Sequence, residues 1–295
     1  MRRIVLFLAT NIAVLLLLAI VCRLFGIDQM AAANGYGGMT GLLLYAAVFG
    51  MGGAFISLAL SKWIAKRSTG ARVITQPQNE TERWLLDTVA RHARNAGIGM
   101  PEVAIYDAPE MNAFATGMTK NSSLVAVSSG LLQQMDREQV SAVLGHEIGH
   151  VANGDMVTLT LIQGVLNTLV ILAARIVGRA IDSWMSGGRD NRGGGLGYFM
   201  VVMVLQVVFG LFASMIVAAF SRWREFRADS AGARFAGRGA MISALQRLKA
   251  DHGENTLPNT IAAFGISGPL VDGLRRLFMS HPPLDERIAA LQSAV

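Results

Sequence analysis

Long stretches without a charged residue limit what this chain of 295 residues can fold into more than any other feature of its sequence. The charge-free windows are residues 4–22, 30–61, 156–174 and 193–221. An α-helix needs about 20 apolar residues to cross the ~30 Å hydrocarbon core of a bilayer. The windows therefore predict four membrane-spanning helices, at about 4–24, 41–61, 157–178 and 197–220.

Two of these windows have a second interpretation. The first follows Arg2 and Arg3 and could be a signal peptide, but its apolar run exceeds the about 7–15 residues of that class, so we expect an uncleaved anchor. The third contains Gln163 and Asn167 and is followed directly by Arg175, which makes it the weakest span. We keep it as a span whose arginines extend to the far interface.

The composition is typical of a protein that is partly surrounded by lipid. Hydrophobic residues make up 52% of the chain and charged residues 16%, against about 25% charged residues in soluble domains. So apolar a chain is not intrinsically disordered. Its single cysteine, Cys22, excludes an internal disulfide framework and a multi-cysteine zinc or iron–sulfur site.

Basic residues predict the orientation of the spans, because Lys and Arg collect on the cytoplasmic side. The net charge is +6, and much of the excess flanks three spans: Arg2 and Arg3, then Lys62, Lys66, Arg67 and Arg72, then Arg222, Arg224 and Arg227. We therefore place these flanks and both termini in the cytoplasm, and the loop 182–195 outside. A basic excess at membrane flanks indicates a lipid bilayer as partner, not nucleic acid.

Two stretches, 70–155 and 222–295, are polar enough to form a soluble domain. Asn79 and Glu82 have the spacing of a capping box for a helix that ends at Gly97, and Asp136 with Gln139 opens a helix that reaches about Asn153. Short β-rich runs predict strands at 103–106, 111–116 and 123–128. Further helices are predicted at 222–236, at 239–250 and after Pro283, with a Gly/Pro-punctuated loop at 253–269.

These elements predict a mainly α-helical chain with a small β-sheet, an α+β class, in which four transmembrane helices accompany a cytoplasmic domain. The expected organisation is a two-span anchor (1–65), a first part of the cytoplasmic domain (66–156), a two-span hairpin (157–220) and a second part of that domain (221–295).

The predicted helix 136–153 contains His146-Glu147-Ile148-Gly149-His150, an H-E-x-x-H motif. Residues four apart share a helical face, so both imidazoles can bind one ion. Zinc takes nitrogen and oxygen ligands in a tetrahedron, and a catalytic site keeps one position for water. Glu147 lies beside that position and can take a proton from the water. The motif predicts a zinc-dependent hydrolase.

A third protein ligand is needed, and it should be a carboxylate or a remote His because no second Cys exists. The best candidate is Glu225, since two intervening spans return the chain to the same membrane face. Asp229 follows four residues later on the same helical face, where it could orient a ligand imidazole. From spacing alone, a solvated acidic pair among arginines is equally consistent.

Several motifs together resemble the HtpX family of bacterial inner-membrane zinc metalloproteases. The resemblance lies in the H-E-x-x-H motif, the Glu225-x-x-x-Asp229 element at the cytoplasmic end of a span, the run Asn112-Ala113-Phe114-Ala115-Thr116-Gly117 and the order of the four windows. It covers essentially the whole chain.

That resemblance implies a zincin-type metalloendopeptidase of the cell inner membrane with one Zn²⁺ per chain. By it, His146, His150 and Glu225 bind zinc, Glu147 is the catalytic base and Asp229 supports a ligand. It further implies that the substrates are membrane proteins, cleaved in stress-linked quality control, and that the run from Asn112 through Ala113 and Phe114 is an edge strand that pairs with the substrate backbone.

Other histidines have weaker interpretations. His281 could donate a hydrogen bond to the tetrahedral intermediate, although a loop histidine near a helix start is at least as consistent. His92 and His252 have no partner in the sequence and are expected to be solvated. Asn112 could equally be a turn-forming residue after Pro109.

Two other functions compete with the membrane endopeptidase. A processing protease of the prenyl-CAAX type has a related zinc core, but four spans are few for that class. A four-span adaptor with a decayed zinc site would not be an enzyme, but the intact motif and the plausible third ligand argue against decay.

Overall fold

The computed structural model describes residues 39–185, 196–252 and 277–294. The predicted first span (4–24), Cys22 and most of the loops 182–195 and 253–269 lie outside the described residues. The chain divides into two compact units, one comprising residues up to Ser57 together with Leu159–Val217, the other comprising Leu58–Thr158 and Ala218–Val295.

The described elements, in chain order, are α1 (Met39–Thr69), β1 (Arg72–Val73), α2 (Glu80–Ala96), β2 (Glu102–Tyr106), β3 (Ala113–Thr119), β4 (Ser122–Ser128), α3 (Ser129–Gln134), α4 (Arg137–Asn153), α5 (Asp155–Met185), α6 (Leu196–Ala236), α7 (Arg238–His252) and α8 (Leu284–Ser293). The expectation of a mainly helical chain with a small sheet is confirmed.

Three of the described helices, α1, α5 and α6, are long and apolar enough to cross a membrane. They contain the second, third and fourth predicted spans. Large apolar side chains on α6 are more than half exposed, among them Phe199, Val204, Val207, Leu211 and Phe212. So large an exposed apolar face indicates contact with lipid.

Close packing joins α1 and α5 within the first unit. A Cβ on Gly50 would clash with the Thr168 side chain, and one on Gly164 would meet the Met51 sulfur at 2.7 Å. Small residues let membrane helices approach closely, and van der Waals contact then holds them together. The sequence predicted the spans but not this contact.

Helix α6 is longer than its predicted span. A span at 197–220 and a separate helix at 222–236 were expected, but the structure has one continuous helix from Leu196 to Ala236. No Gly or Pro separates Phe220 from Arg222, so nothing in the chain interrupts the hydrogen bonding. The residues of this helix from Ala218 onward therefore belong to the second unit.

The caps of the soluble helices follow the sequence closely. Asp136 accepts from the Gln139 backbone at 2.8 Å, and the Gln139 side chain accepts from the Asp136 backbone at 3.2 Å, which completes a capping box for α4. The box at α2 is only half formed: Asn79 accepts from Glu82 N, but the Glu82 carboxylate binds Gln78 N and Arg72 instead.

The second unit contains a four-stranded sheet in the order β1-β2-β4-β3. Strand β2 is parallel to β4, whereas β1 and β3 are antiparallel to their neighbours. The predicted strands are present, although β3 begins at Ala113 rather than Met111; β1 and the short helix α3 were not predicted. Because β3 is an edge strand, its outer backbone groups can pair with another chain.

One face of the sheet covers the main hydrophobic core. Leu85, Val89, Leu144, Ile148 and Leu245 are fully buried in it. This core packs α2, α4 and α7 together and thereby holds α4, which carries the histidine motif, in a rigid setting.

His92 is buried in the same region, so the expectation that it is solvated was wrong. Its side chain has no exposed surface, and its Nε2 lies 3.0 Å from the Ser141 carbonyl oxygen. The imidazole ring stacks against the ring of Phe235. Burial lowers the pKa of His92, so folding favours the neutral form of its ring. The side chain of His252 lies outside the described part of the chain.

Candidate metal centre

Helix α4 brings His146 and His150 to one buried face, as the spacing predicts. The two side chains are 9% and 8% exposed, and their rings stand edge to face with centroids 4.7 Å apart. Gly154 ends the helix in the left-handed conformation that glycine favours, four residues after His150. A well-capped helix therefore presents both imidazoles.

Glu225 approaches the two rings from the C-terminal half of α6. Its Oε1 lies 3.2 Å from His150 Nε2 and its Oε2 lies 3.7 Å from His146 Nε2, while the two Nε2 atoms are 3.2 Å apart. The Glu225 side chain is 1% exposed. The structure thus brings together the three residues that the sequence analysis predicted as ligands.

The other ring nitrogens decide what these atoms can do. His146 Nδ1 lies 2.9 Å from Asp229 Oδ1, and His150 Nδ1 lies 2.7 Å from Asp155 Oδ2. A carboxylate accepts hydrogen bonds, so each Nδ1 carries a proton, and in the neutral, metal-binding form of each ring the lone pair of Nε2 is left to bind an ion. Two such lone pairs 3.2 Å apart are compatible when one cation receives both.

The donor set fits a catalytic zinc ion. Two imidazole nitrogens and one carboxylate oxygen are a familiar set of protein ligands for zinc in hydrolases, and they leave one tetrahedral position for water. Glu225 Oε1 is buried and has no hydrogen-bond donor among the described residues, which suits a metal ligand.

The electrostatics of the cluster also favour a cation. Burial lowers the pKa of His150, but its hydrogen bond to Asp155, its close contact with the Glu225 carboxylate and the charge of Glu147 outweigh burial and raise that pKa to about 9. The surrounding carboxylates therefore stabilise positive charge at this position, and a metal ion would replace the proton.

Close approach of α4 and α6 makes this geometry possible. A Cβ on Gly149 would meet the Ala231 Cβ at 2.7 Å, and one on Gly232 would meet the Ala142 carbonyl oxygen at 3.0 Å. Any larger residue would hold the helices apart. The small residues thus set the distance between the histidines and Glu225.

Two residues of the site were missed by the sequence analysis. Asp155 comes five residues after His150, and this spacing could have suggested the contact. Arg287, on α8, gives two hydrogen bonds to Asp229, at 2.6 and 2.8 Å, and its side chain is 8% exposed. No local pattern could reveal Arg287, because 58 residues separate it from Asp229. Together they form chains of contacts that fix both imidazoles.

A cavity of about 450 Å³ opens beside the three candidate ligands. Glu147 lines it, as expected for a group that works on bound water, and so do Asn112, Ala113 and His281. Phe114 does not: its ring lies 5.6 Å from Tyr106 and packs in the smaller cluster of the sheet's other face. Side chains alternate along a strand, so Phe114, which follows Ala113, points away from the cavity.

His281 lies at the rim of the cavity. Its side chain is 63% exposed, and its Nδ1 donates to Glu225 Oε2 over 2.7 Å. The ring is thus anchored to the candidate ligand carboxylate, a contact that the sequence did not indicate.

Comparison with known proteins places this geometry among peptidases. Residues 79–295 match the family model of Peptidase family M48. Protease HtpX of Xanthomonas euvesicatoria pv. vesicatoria (strain 85-10) is 63% identical to this chain over 293 residues, which cover 99% of this chain and 98% of the relative. Protease HtpX of Xanthomonas campestris pv. campestris (strain B100) is 62% identical with the same coverage.

A solved structure shares the fold. Ste24p of S. mikatae superposes with a TM-score of 0.69 at 17% identity, over 98% of this chain. The chain spans 65% of the length of that protein. At this identity the likeness concerns the fold alone.

Proposed function

The chain belongs to peptidase family M48, among the HtpX proteases, and we propose that it cleaves misfolded or damaged membrane proteins at the cytoplasmic side of a bacterial inner membrane. As a member of that family it is a multi-pass membrane metalloendopeptidase. The observation that carries the proposal is the convergence of His146 Nε2, His150 Nε2 and the Glu225 carboxylate, together with an open cavity that His146, Glu225 and Glu147 line.

We assign one zinc ion per chain to His146, His150 and Glu225. When bound, zinc supplies Lewis-acid catalysis, because it polarises a carbonyl and lowers the pKa of a water molecule to about 7. Glu147, partly exposed in the cavity, takes the proton of the attacking water and passes it to the leaving amine. Asp155 and Asp229 hold the two ligand rings in orientation.

The substrate main chain is proposed to lie along the edge strand β3. Asn112 and Ala113 line the cavity where this strand begins, and β3 pairs with β4 only on its inner side among the described strands. Addition of a peptide to such an edge gives affinity through backbone hydrogen bonds. The role of Phe114 is then limited to its backbone. We assign His281, whose ring lines the cavity, as a donor to the developing oxyanion.

Glu147→Gln tests the catalytic assignment. We expect peptide hydrolysis to be lost while about one zinc per chain is retained, because Glu147 neighbours the ligands without being one. Glu138→Gln is the matched control, since Glu138 is exposed on the same helix and should leave both quantities unchanged. Zinc loss in Glu147→Gln would show that Glu147 binds the metal and would contradict its role as the base.

The cytoplasmic placement of the active site rests on the basic flanks of the spans. Reporter fusions should indicate cytoplasmic exposure at about residues 70–150 and after 222, and external exposure at 26–40. A fusion at 187–194 is decisive for the third and fourth spans. A cytoplasmic signal there would contradict the prediction that both segments cross the membrane completely.

A further inference from the structure

Three large apolar side chains are exposed where α6 leaves its predicted span. Trp223 is 55% exposed on this helix, and Leu277 and Phe278, in the segment that precedes α8, are 38% and 37% exposed. Trp223 and Leu277 belong neither to the described core clusters nor to the lining of the cavity. We call Trp223, Leu277 and Phe278 the interfacial residues. Neither folding nor the catalytic roles explain why they are apolar.

Arg222 holds the segment 277–279 against this part of α6. Its Nη1 donates to Met279 O over 2.7 Å and to Leu277 O over 3.3 Å. Side chains on an α-helix lean toward its N-terminus, and the N-terminal part of α6 is the apolar span, so Arg222 extends toward the span. The segment therefore lies beside the end of the span.

Helix geometry gives the level of these residues relative to the bilayer. Helix α6 rises about 1.5 Å per residue, so Arg222 and Trp223 lie about 3–5 Å beyond Phe220, the predicted end of the span. The headgroup layer on each side of the ~30 Å hydrocarbon core is about 5–7 Å thick. Trp63 on α1 is also 55% exposed, two residues beyond the predicted span 41–61. Tryptophan is enriched at this level in membrane proteins.

The exposed charge around Trp223 is positive. Arg222, Arg224 and Arg227 lie close together on α6, whereas Glu225, the acidic residue among them, is 1% exposed at the metal centre. Arg227 is exposed, and its guanidinium carbon lies 4.8 Å from the centre of the Trp223 ring. Basic residues beside an apolar surface attract anionic lipid headgroups.

We propose that the interfacial residues insert into the headgroup layer of the bilayer and that Arg227 binds the phosphate groups of anionic phospholipids there. Phe278 also lines the cavity beside the metal centre, so this side of the cavity faces the membrane surface. The lipid contact does not depend on proteolysis, and the experiments below keep their meaning if the proposed function fails.

Phospholipids brominated near the headgroup test the position of Trp223 in the full-length protein in vesicles, because bromine quenches tryptophan only at short range. Trp223→Phe should lower the fraction of the emission that is quenched. Trp84→Phe is the matched control and should raise that fraction, since Trp84 also stacks with an arginine, Arg137, but lies beside the start of α4, whose other end adjoins α5. A quenched fraction that does not fall in Trp223→Phe would overturn the proposal.

Leu277→Cys tests the segment that Arg222 holds. In a Cys22→Ser background the new thiol is the only one in the chain, and it is labelled with an environment-sensitive fluorophore. We expect its emission to shift to the blue in vesicles and to be quenched by lipids that carry a nitroxide near the headgroup. Glu138→Cys, exposed near the start of α4, is the control and should show neither effect. Equal behaviour of the two labels would overturn the proposal.

Arg227→Gln tests the preference for anionic lipid. Quenching of the Leu277→Cys label is compared between nitroxide-labelled phosphatidylglycerol and phosphatidylcholine. We expect phosphatidylglycerol to quench more strongly, and Arg227→Gln to reduce that excess by up to about fivefold. Arg234→Gln is the matched control and should leave the excess unchanged: Arg234 is exposed and stacks on Phe235, but lies seven residues farther along α6. No excess in the parent, or an equal loss in both variants, would overturn the assignment of anionic lipid.

Discussion

Helix α4 and the C-terminal half of α6 build the same metal centre in different ways. Helix α4 supplies two candidate ligands and the proposed base from five consecutive residues, so helical spacing alone aligns them. Helix α6 supplies one candidate ligand, Glu225, and its place is set by packing against α4 through Gly149 and Gly232. The first half of the site is local in the chain, whereas the second depends on tertiary contact.

The same difference separates the two imidazoles. His150 is oriented by Asp155, which follows it after the turn at Gly154. His146 is oriented by Asp229 on α6, which is itself held by Arg287 on α8. One ring thus has a local support and the other a chain of long-range supports.

Removal of the α6 ligand should have the largest effect. Glu225→Ala leaves two imidazoles, so we expect zinc to be lost or greatly weakened and hydrolysis to vanish. Asp229→Asn keeps the shape of the side chain and should stay metal-bound but impaired. Zinc content and peptide hydrolysis of both purified variants decide this. A Glu225→Ala protein that binds zinc as the parent does and still cleaves peptide would place the third ligand elsewhere.

The supports of the two rings should differ in their effect on stability. Asp155→Asn and Asp229→Asn should each lower zinc affinity or activity by about 10–100-fold, because each weakens a hydrogen bond to a ligand ring. Only Asp229→Asn also weakens the ion pair with the buried Arg287. Breaking a buried ion pair lowers the free energy of unfolding by about 3–5 kcal/mol at most.

The measurement is thermal unfolding in detergent, combined with zinc titration. Asp87→Asn, at an exposed position on α2, is the control and should change neither quantity. If Asp155→Asn destabilises the fold as much as Asp229→Asn does, the distinction between local and long-range support is wrong.

Separation of the two helices should have an intermediate effect. Gly149→Ala puts a Cβ 2.7 Å from that of Ala231, so the helices must move apart. Overpacking of this kind costs about 1–3 kcal/mol, and the shift of Glu225 should weaken zinc binding. Gly239→Ala, which meets nothing within 4 Å on α7, should be neutral or slightly stabilising. Unchanged zinc affinity in Gly149→Ala would show that the helix contact does not set the ligand geometry.

The smallest effect should come from His92, which packs against the other face of α4. It should appear as a pH dependence of stability. His92 contacts Ser141, and burial lowers its pKa below the usual value of about 6.5, which favours the neutral ring in the folded chain. The unfolded chain therefore binds a proton more readily, and stability falls as the pH drops below about 6.5, by at most about 1.4 kcal/mol per pH unit.

Unfolding midpoints of the parent and of His92→Gln, compared between pH 7.5 and 5.5 with zinc present, test this. The midpoint of the parent should fall more steeply toward low pH. Parallel curves would show that His92 does not contribute.

Local patterns were sufficient for most of the elements and for half of the site. Charge-free windows predicted the three described spans because a bilayer requires such lengths. The capping residues predicted where α2 and α4 begin, since a helix start leaves backbone groups that only a few side chains satisfy. The H-E-x-x-H spacing predicted that His146 and His150 share a face.

Other features could not be predicted in this way. Spacing left Glu225 and Asp229 equally consistent with a solvated pair, because a polar residue on a helix does not reveal what packs against it. His92 was expected to be solvated for the same reason: its partner, Ser141, lies 49 residues away. Arg287 had no local signal at all.

The sequence by itself therefore determined the membrane spans, the class of the fold and the pair of histidines on α4, since each depends on hydrogen bonding and periodicity within a short segment. Only the tertiary structure decided that Glu225 faces those histidines, that Asp229 and Arg287 support one of them, and that an open cavity lies beside them. These features depend on how closely helices pack, and packing distance is set by the side chains of both partners together.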